Sequence, residues 1–70
     1  MERSVAISVN GEVRREAAGV RLGELLSRLK LDPRKVAVER NRSIVPRSCY
    51  GEVQLEDGDA LEIVAFVGGG

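Results

Sequence analysis

The 70-residue sequence has no histidine and no tryptophan, and only one tyrosine, one phenylalanine, one cysteine and two prolines. Without histidine, the usual acid–base group near neutral pH and the commonest metal ligand are both missing. The single cysteine, Cys49, cannot close an internal disulfide, so a reducing compartment is the expected setting. Scarce aromatics imply an aliphatic core and argue against a deep aromatic-lined substrate cleft. No apolar run approaches the roughly 20 residues that span a bilayer, and the opening MERSVAISV lacks the apolar centre of a secretory signal. The expectation is a cytoplasmic protein with no membrane partner.

Basic residues are missing from the last third of the chain. All 11 Lys and Arg lie at or before Arg47, alongside six acids, so this part carries +5. The final 23 residues hold Glu52, Glu56, Asp57, Asp59 and Glu62 with no base, a charge of −5. Nucleic-acid binders concentrate positive charge on one face, and no nucleic-acid partner is expected here. An acidic C-terminal part instead suits docking on a basic protein surface. What remains is 43% apolar residues, enough for one small core, in a length that makes one domain.

Val5, Ile7 and Val9 alternate with Ala6 and Ser8, which predicts a half-buried strand over Ser4 to Val9. Asn10-Gly11 favours a two-residue turn with positive φ at both positions, and Glu12 to Ala17 reads as the returning strand. Leu22, Leu25, Leu26 and Leu29 form the apolar stripe of a helix, which Asp32-Pro33 is expected to stop. Gly23 in its first turn costs up to ~1 kcal/mol relative to Ala. Val36 and Val38 mark a third strand ending near Arg40, and Ser43 to Val45 a short one closed by Pro46. Arg47 to Val53 has no clean period and is expected to form turns or a short helical piece, and Glu56-Asp57-Gly58-Asp59 is a turn cluster. Ala60 to Val67 is the last strand, with Leu61, Ile63, Ala65 and Val67 on one face and Glu62, Val64 and Phe66 on the other. One amphipathic helix and a mixed sheet of four to five strands can bury their apolar faces only against each other. The fold class is therefore α+β, a roll with the helix packed across the sheet.

The last strand runs straight into Gly68-Gly69-Gly70. Without Cβ atoms, three glycines let a terminal carboxylate project from a rigid domain into a narrow channel of another protein. Together with Asn10-Gly11, Leu25-Leu26, Val38-Glu39-Arg40-Asn41, Ile44-Val45-Pro46-Arg47, Leu55-Glu56-Asp57-Gly58-Asp59 and Ile63 through Gly70, this ending resembles the sulfur carrier family of thiamine biosynthesis (ThiS). The resemblance extends over essentially the whole chain. It implies a ubiquitin-like β-grasp domain over residues 1–67 and a flexible tail over 68–70.

The same resemblance implies a chemical cycle. An E1-like partner (ThiF-like) uses ATP and Mg²⁺ to adenylate the Gly70 carboxylate, and a persulfide donor protein supplies the sulfur that displaces AMP. The resulting thiocarboxylate then delivers sulfur to a thiazole synthase (ThiG-like). Gly68 and Gly69 supply reach. The carrier itself binds no cofactor and is not expected to be an enzyme. No phosphate-cradling glycine loop is present, since Gly19 and Gly23 stand in the wrong context. Asp57 and Asp59 offer too few oxygens for a Ca²⁺ site. Partner contact is expected from Val64, Phe66 and Val67 with Glu62, Asp57 and Asp59, because exposed apolar residues on one sheet face mark docking sites. Cys49 is read as a half-buried spectator, and Arg47 as either a partner contact or a support for the irregular segment. Two other readings stay open: a molybdopterin synthase small subunit, which shares the tail chemistry, and a non-covalent β-grasp interaction module.

Overall fold

The structure, a computed structural model, describes residues 3–66. The alternating N-terminal segment forms β1 (Ser4–Val9), and the chain returns as β2 (Glu12–Ala17) with Ser4 opposite Ala17 and Val9 opposite Glu12. Asn10 and Gly11 take the positive φ that their tight turn requires, 51° and 88°. Then follow α1 (Leu22–Arg28), β3 (Val36–Arg40), β4 (Ser43–Val45) and β5 (Ala60–Ala65), with 3₁₀ turns at Pro33–Lys35 and Arg47–Cys49. The five strands lie in the order β2-β1-β5-β3-β4. β5 is parallel to β1 and antiparallel to β3. This is the expected α+β, β-grasp arrangement, with one helix on a mixed sheet.

The leucine stripe does what its spacing predicts. Leu22, Leu25 and Leu26 are completely buried, in one cluster with Ile7, Val36, Val38, Leu61 and Ile63 from the facing strands. Tyr50 is the one aromatic of this cluster, and its hydroxyl donates to the Val36 carbonyl at 3.2 Å, so its polar tip is satisfied. Cys49 is half-buried against the same core. No helix among the described residues is long and apolar enough to cross a membrane.

One local expectation needs correction. The helix is not stopped by Pro33. Lys30 adopts a left-handed φ of 60°, its N–H donates to the Ser27 carbonyl, and the Leu31 N–H donates to the Leu26 carbonyl. That pair of bonds is a Schellman ending built on lysine rather than glycine. Pro33 instead opens the next 3₁₀ turn, which Asp32 caps by accepting from the Arg34 N–H at 2.9 Å. The Arg47 to Val53 stretch is, as expected, turns and a short helical piece, the 3₁₀ turn Arg47–Cys49, and it has a definite task. Its carbonyls at Val53 and Tyr50 accept from the Leu22 and Gly23 N–H groups at 2.9 and 2.8 Å. These are orphan donors of the first helical turn, which every helix must satisfy. Glu24 adds a further bond by accepting from the Arg21 N–H at 2.9 Å. A Cβ on Gly23 would meet the Tyr50 carbonyl oxygen at 3.4 Å, so glycine marks a close approach of helix and loop.

Asn10 also reaches beyond its turn. Its side-chain amide donates to the Ile63 carbonyl at 3.1 Å and accepts from the Ile63 N–H at 2.9 Å. In effect it extends the β1–β5 pairing past the end of β1. Asn10→Gly keeps a residue comfortable at positive φ but deletes both bonds, so it should destabilise the domain by about 2 kcal/mol. Urea denaturation checks this, and an unchanged midpoint would show that the side-chain bridge contributes nothing.

Candidate functional site

β5 is the last strand among the described residues and the middle strand of the sheet, so its outward residues are the starting point for a candidate site. Alternation divides β5 strictly. Leu61 and Ile63 point into the core, and Ala60, Glu62 and Val64 point to the face that the helix does not cover. Register extends this open face across the sheet. Ala60 and Val13 both lie opposite Ser8, Glu62 and Ile44 both lie opposite Glu39, and Val64 lies opposite Ala37. Phe66 continues the run just beyond β5, where its N–H donates to the Lys35 carbonyl at 2.8 Å and prolongs the ladder to β3.

Among the described residues, the large exposed apolar ones all belong to this face or its continuation: Ile44 is 76% exposed, Val13 75%, Val64 60% and Phe66 52%. Phe66 is thus not drawn into the aromatic-poor core. Val13 and Ile44 were not among the expected contact residues. The signal for them was parity, since Val13 pairs with the outward Ser8 and Ile44 sits between Ser43 and the buried Val45. Strand pairing across the sheet was needed to read it.

The acidic residues separate into different roles. Glu62 is exposed on the open face. Asp57 is exposed, with one carboxylate oxygen accepting from the Ala6 N–H at 2.7 Å, so it ties the turn before β5 to β1. Asp59, expected as a partner contact, is corrected to an internal support, because only 6% of it is exposed. One of its oxygens accepts from Arg40 Nε and the Glu56 N–H, both at 2.8 Å. The other accepts from the Asn41 amide at 3.0 Å. Both oxygens serve to lock the turn that launches β5. Burial by itself would raise the Asp59 pKa, but the bonds from Glu56, Asn41 and Arg40 outweigh it and hold the carboxyl below its ordinary 3.8.

Val67, Gly68, Gly69 and Gly70 lie outside the described residues. Among the described residues no three His, Cys, Asp or Glu side chains come together as metal ligands. A shallow depression of about 290 Å³ is lined by Ala6, Ile7, Ser8, Val13, Gly58 and Asp59. Its sole acid, Asp59, is already engaged. The described site can therefore present a surface, and it assembles no acid–base pair in that depression.

The family model of the ThiS family matches residues 7–70. A thiazole synthase of Paramagnetospirillum magneticum is 56% identical over 62 residues, which cover 89% of this chain and 19% of that protein. The sulfur carrier protein ThiS of Bacillus subtilis is 49% identical over 47 residues, 67% of this chain and 71% of that one. The crystal structure of a thiamine biosynthesis protein (ThiS) from Geobacter metallireducens superposes with a TM-score of 0.79 at 35% identity, covering 94% of this chain and all of that one. The chain spans about a fifth of the length of the thiazole synthases it matches. It belongs to the ThiS family.

Asp59→Asn retains shape but loses the charge that Arg40 and the surrounding donors stabilise, and should cost about 2–4 kcal/mol at neutral pH. The sign of the pH dependence follows from the lowered pKa. The native contribution is complete above the unfolded value near 3.8 and disappears as pH falls through the lower folded value. Wild type and variant should therefore converge in stability in acid, as measured by denaturation between neutral pH and the acid limit. A gap independent of pH would contradict this role.

Proposed function

We propose that this member of the ThiS family is a sulfur carrier for thiazole formation in thiamine biosynthesis, with the Gly70 carboxylate as the loaded group. The observation that carries the reading is the family match, which covers residues 7–70. The name of the Bacillus subtilis relative gives the carrier role. The thiazole synthases supply the acceptor: each contains, within a much longer chain, a segment similar to this one. Sharing one polypeptide raises the effective concentration of the carrier at the synthase, which is sensible only where the two must meet repeatedly.

The chemistry requires an activating partner. A carboxylate resists nucleophilic attack because of its resonance and negative charge. An E1-like enzyme with ATP and Mg²⁺ joins a Gly70 carboxylate oxygen to the α-phosphate and releases pyrophosphate. The terminal sulfur of a protein persulfide then attacks the acyl carbon, and AMP leaves. A thiol cleaves the resulting S–S bond, leaving the thiocarboxylate on Gly70. Its sulfur is anionic and nucleophilic at neutral pH, ready for the synthase. In this division of labour the partners hold the nucleotide, the metal and the general acids and bases. The carrier contributes a recognisable face and a reacting terminus.

Two experiments test the reading. Incubation with the E1-like enzyme, ATP and a persulfide donor should raise the intact mass by the exchange of one oxygen for sulfur, and one residue added after Gly70 should abolish the shift. Absence of any adduct with every donor would favour a non-covalent module. In the second, Phe66→Ala should weaken binding to the synthase by about 2 kcal/mol, the range of an aromatic interface anchor. Because Phe66 is half exposed, its melting temperature should change little. A large drop in melting temperature with unchanged affinity would reverse that assignment.

A further inference from the structure

The open face holds an unfavourable arrangement. Glu39 of β3 and Glu62 of β5 are direct cross-strand partners, and both point away from the helix. Like charges placed directly opposite on adjacent strands repel. Among the described residues neither carboxylate takes part in an ion pair or a side-chain hydrogen bond; Arg40, next in sequence to Glu39, is turned to Asp59 instead. Apolar residues flank the pair in register. Ile44 lies opposite Glu39 on its other side, while Val64 and Ala37 form the next outward pair towards the C-terminal end of β5. Intrinsic stability would favour breaking up such a pair, for example with threonine at one position.

We propose that the Glu39–Glu62 pair receives one lysine or arginine of the thiazole synthase, set within an apolar patch that covers Ile44, Val64 and Phe66. This deepens the carrier reading and rests on it. The occupant follows from charge complementarity. Two carboxylates side by side accept a single guanidinium or ammonium, and covering them with apolar surface strengthens the pairing by excluding water. A partner lacking the cation would bury two repelling charges, so the pair also rejects wrong partners of similar apolar shape. The location follows from continuity, because the pair adjoins the part of β5 that leads to the reacting terminus.

The test compares stability with binding in the same variants. Glu39→Gln and Glu62→Gln each relieve the repulsion, so their melting temperatures should equal or exceed that of the wild type. Affinity for the synthase of the same organism, measured by calorimetry, should nonetheless fall about tenfold for either variant, with a weaker salt dependence. Glu62→Lys should nearly abolish binding, and reversing the matching cation of the synthase to glutamate should restore part of it. If wild type binds and the glutamine variants bind equally well, the inference is wrong while the carrier reading stands. If the glutamine variants lose both stability and affinity, the pair supports the fold and the inference is equally wrong. If wild-type carrier does not bind the synthase at all, the carrier reading itself fails. Loss confined to the E1-like enzyme would overturn the choice of partner.

Discussion

A single seven-residue helix can cover only one face of a five-stranded sheet, and most of the molecule's properties follow from that limit. Leu22, Leu25 and Leu26 bury one face completely, so Ile7, Val36, Val38, Leu61 and Ile63 form the core. The other face stays in water. A small domain gains nothing in its own stability by placing Val13, Ile44, Val64 and Phe66 there, and exposed apolar residues gathered on one sheet face are the mark of an interaction surface. Core and open face are two sides of the same strands, separated only by the alternation of side chains.

β5 is the middle strand of the sheet and the last before the terminal residues, so its placement is fixed with unusual care. Asp59 locks the turn before it through Arg40, Asn41 and Glu56; Asp57 ties that turn to β1; and Asn10 grips Ile63 from the hairpin. Three polar side chains from turns thus perform work that strand pairing cannot, because the β1–β5 ladder itself is short. Each is hydrogen-bonded, Asp59 in the interior and Asp57 at the surface.

Much of this was legible beforehand. Hairpin, leucine helix, third strand, short strand and final strand were readable because each depends on local periodicity or on turn chemistry within a few residues. The ending of the helix was misread: Lys30 pays the small strain of a left-handed conformation that sequence rules reserve for glycine. The segment from Arg47 to Val53 looked irregular because its order is imposed from outside, by the unsatisfied N–H groups of the helix it caps. Asp59 looks like a surface acid in a turn, and only the approach of Arg40 and Asn41 from the end of the neighbouring β3 makes it internal.

The sequence by itself determined the fold class and the family, since these rest on patterns carried along one stretch of chain. Only the tertiary structure decided which acids remain available and which apolar residues share a surface. Glu39 and Glu62 stand 23 positions apart, and nothing local links them; the register of β3 against β5 makes them neighbours. Val13 and Ile44 likewise join Val64 through strand order alone. A sheet face is assembled from strands distant in sequence, so its composition is a property of pairing, and pairing is settled by burial of the opposite face.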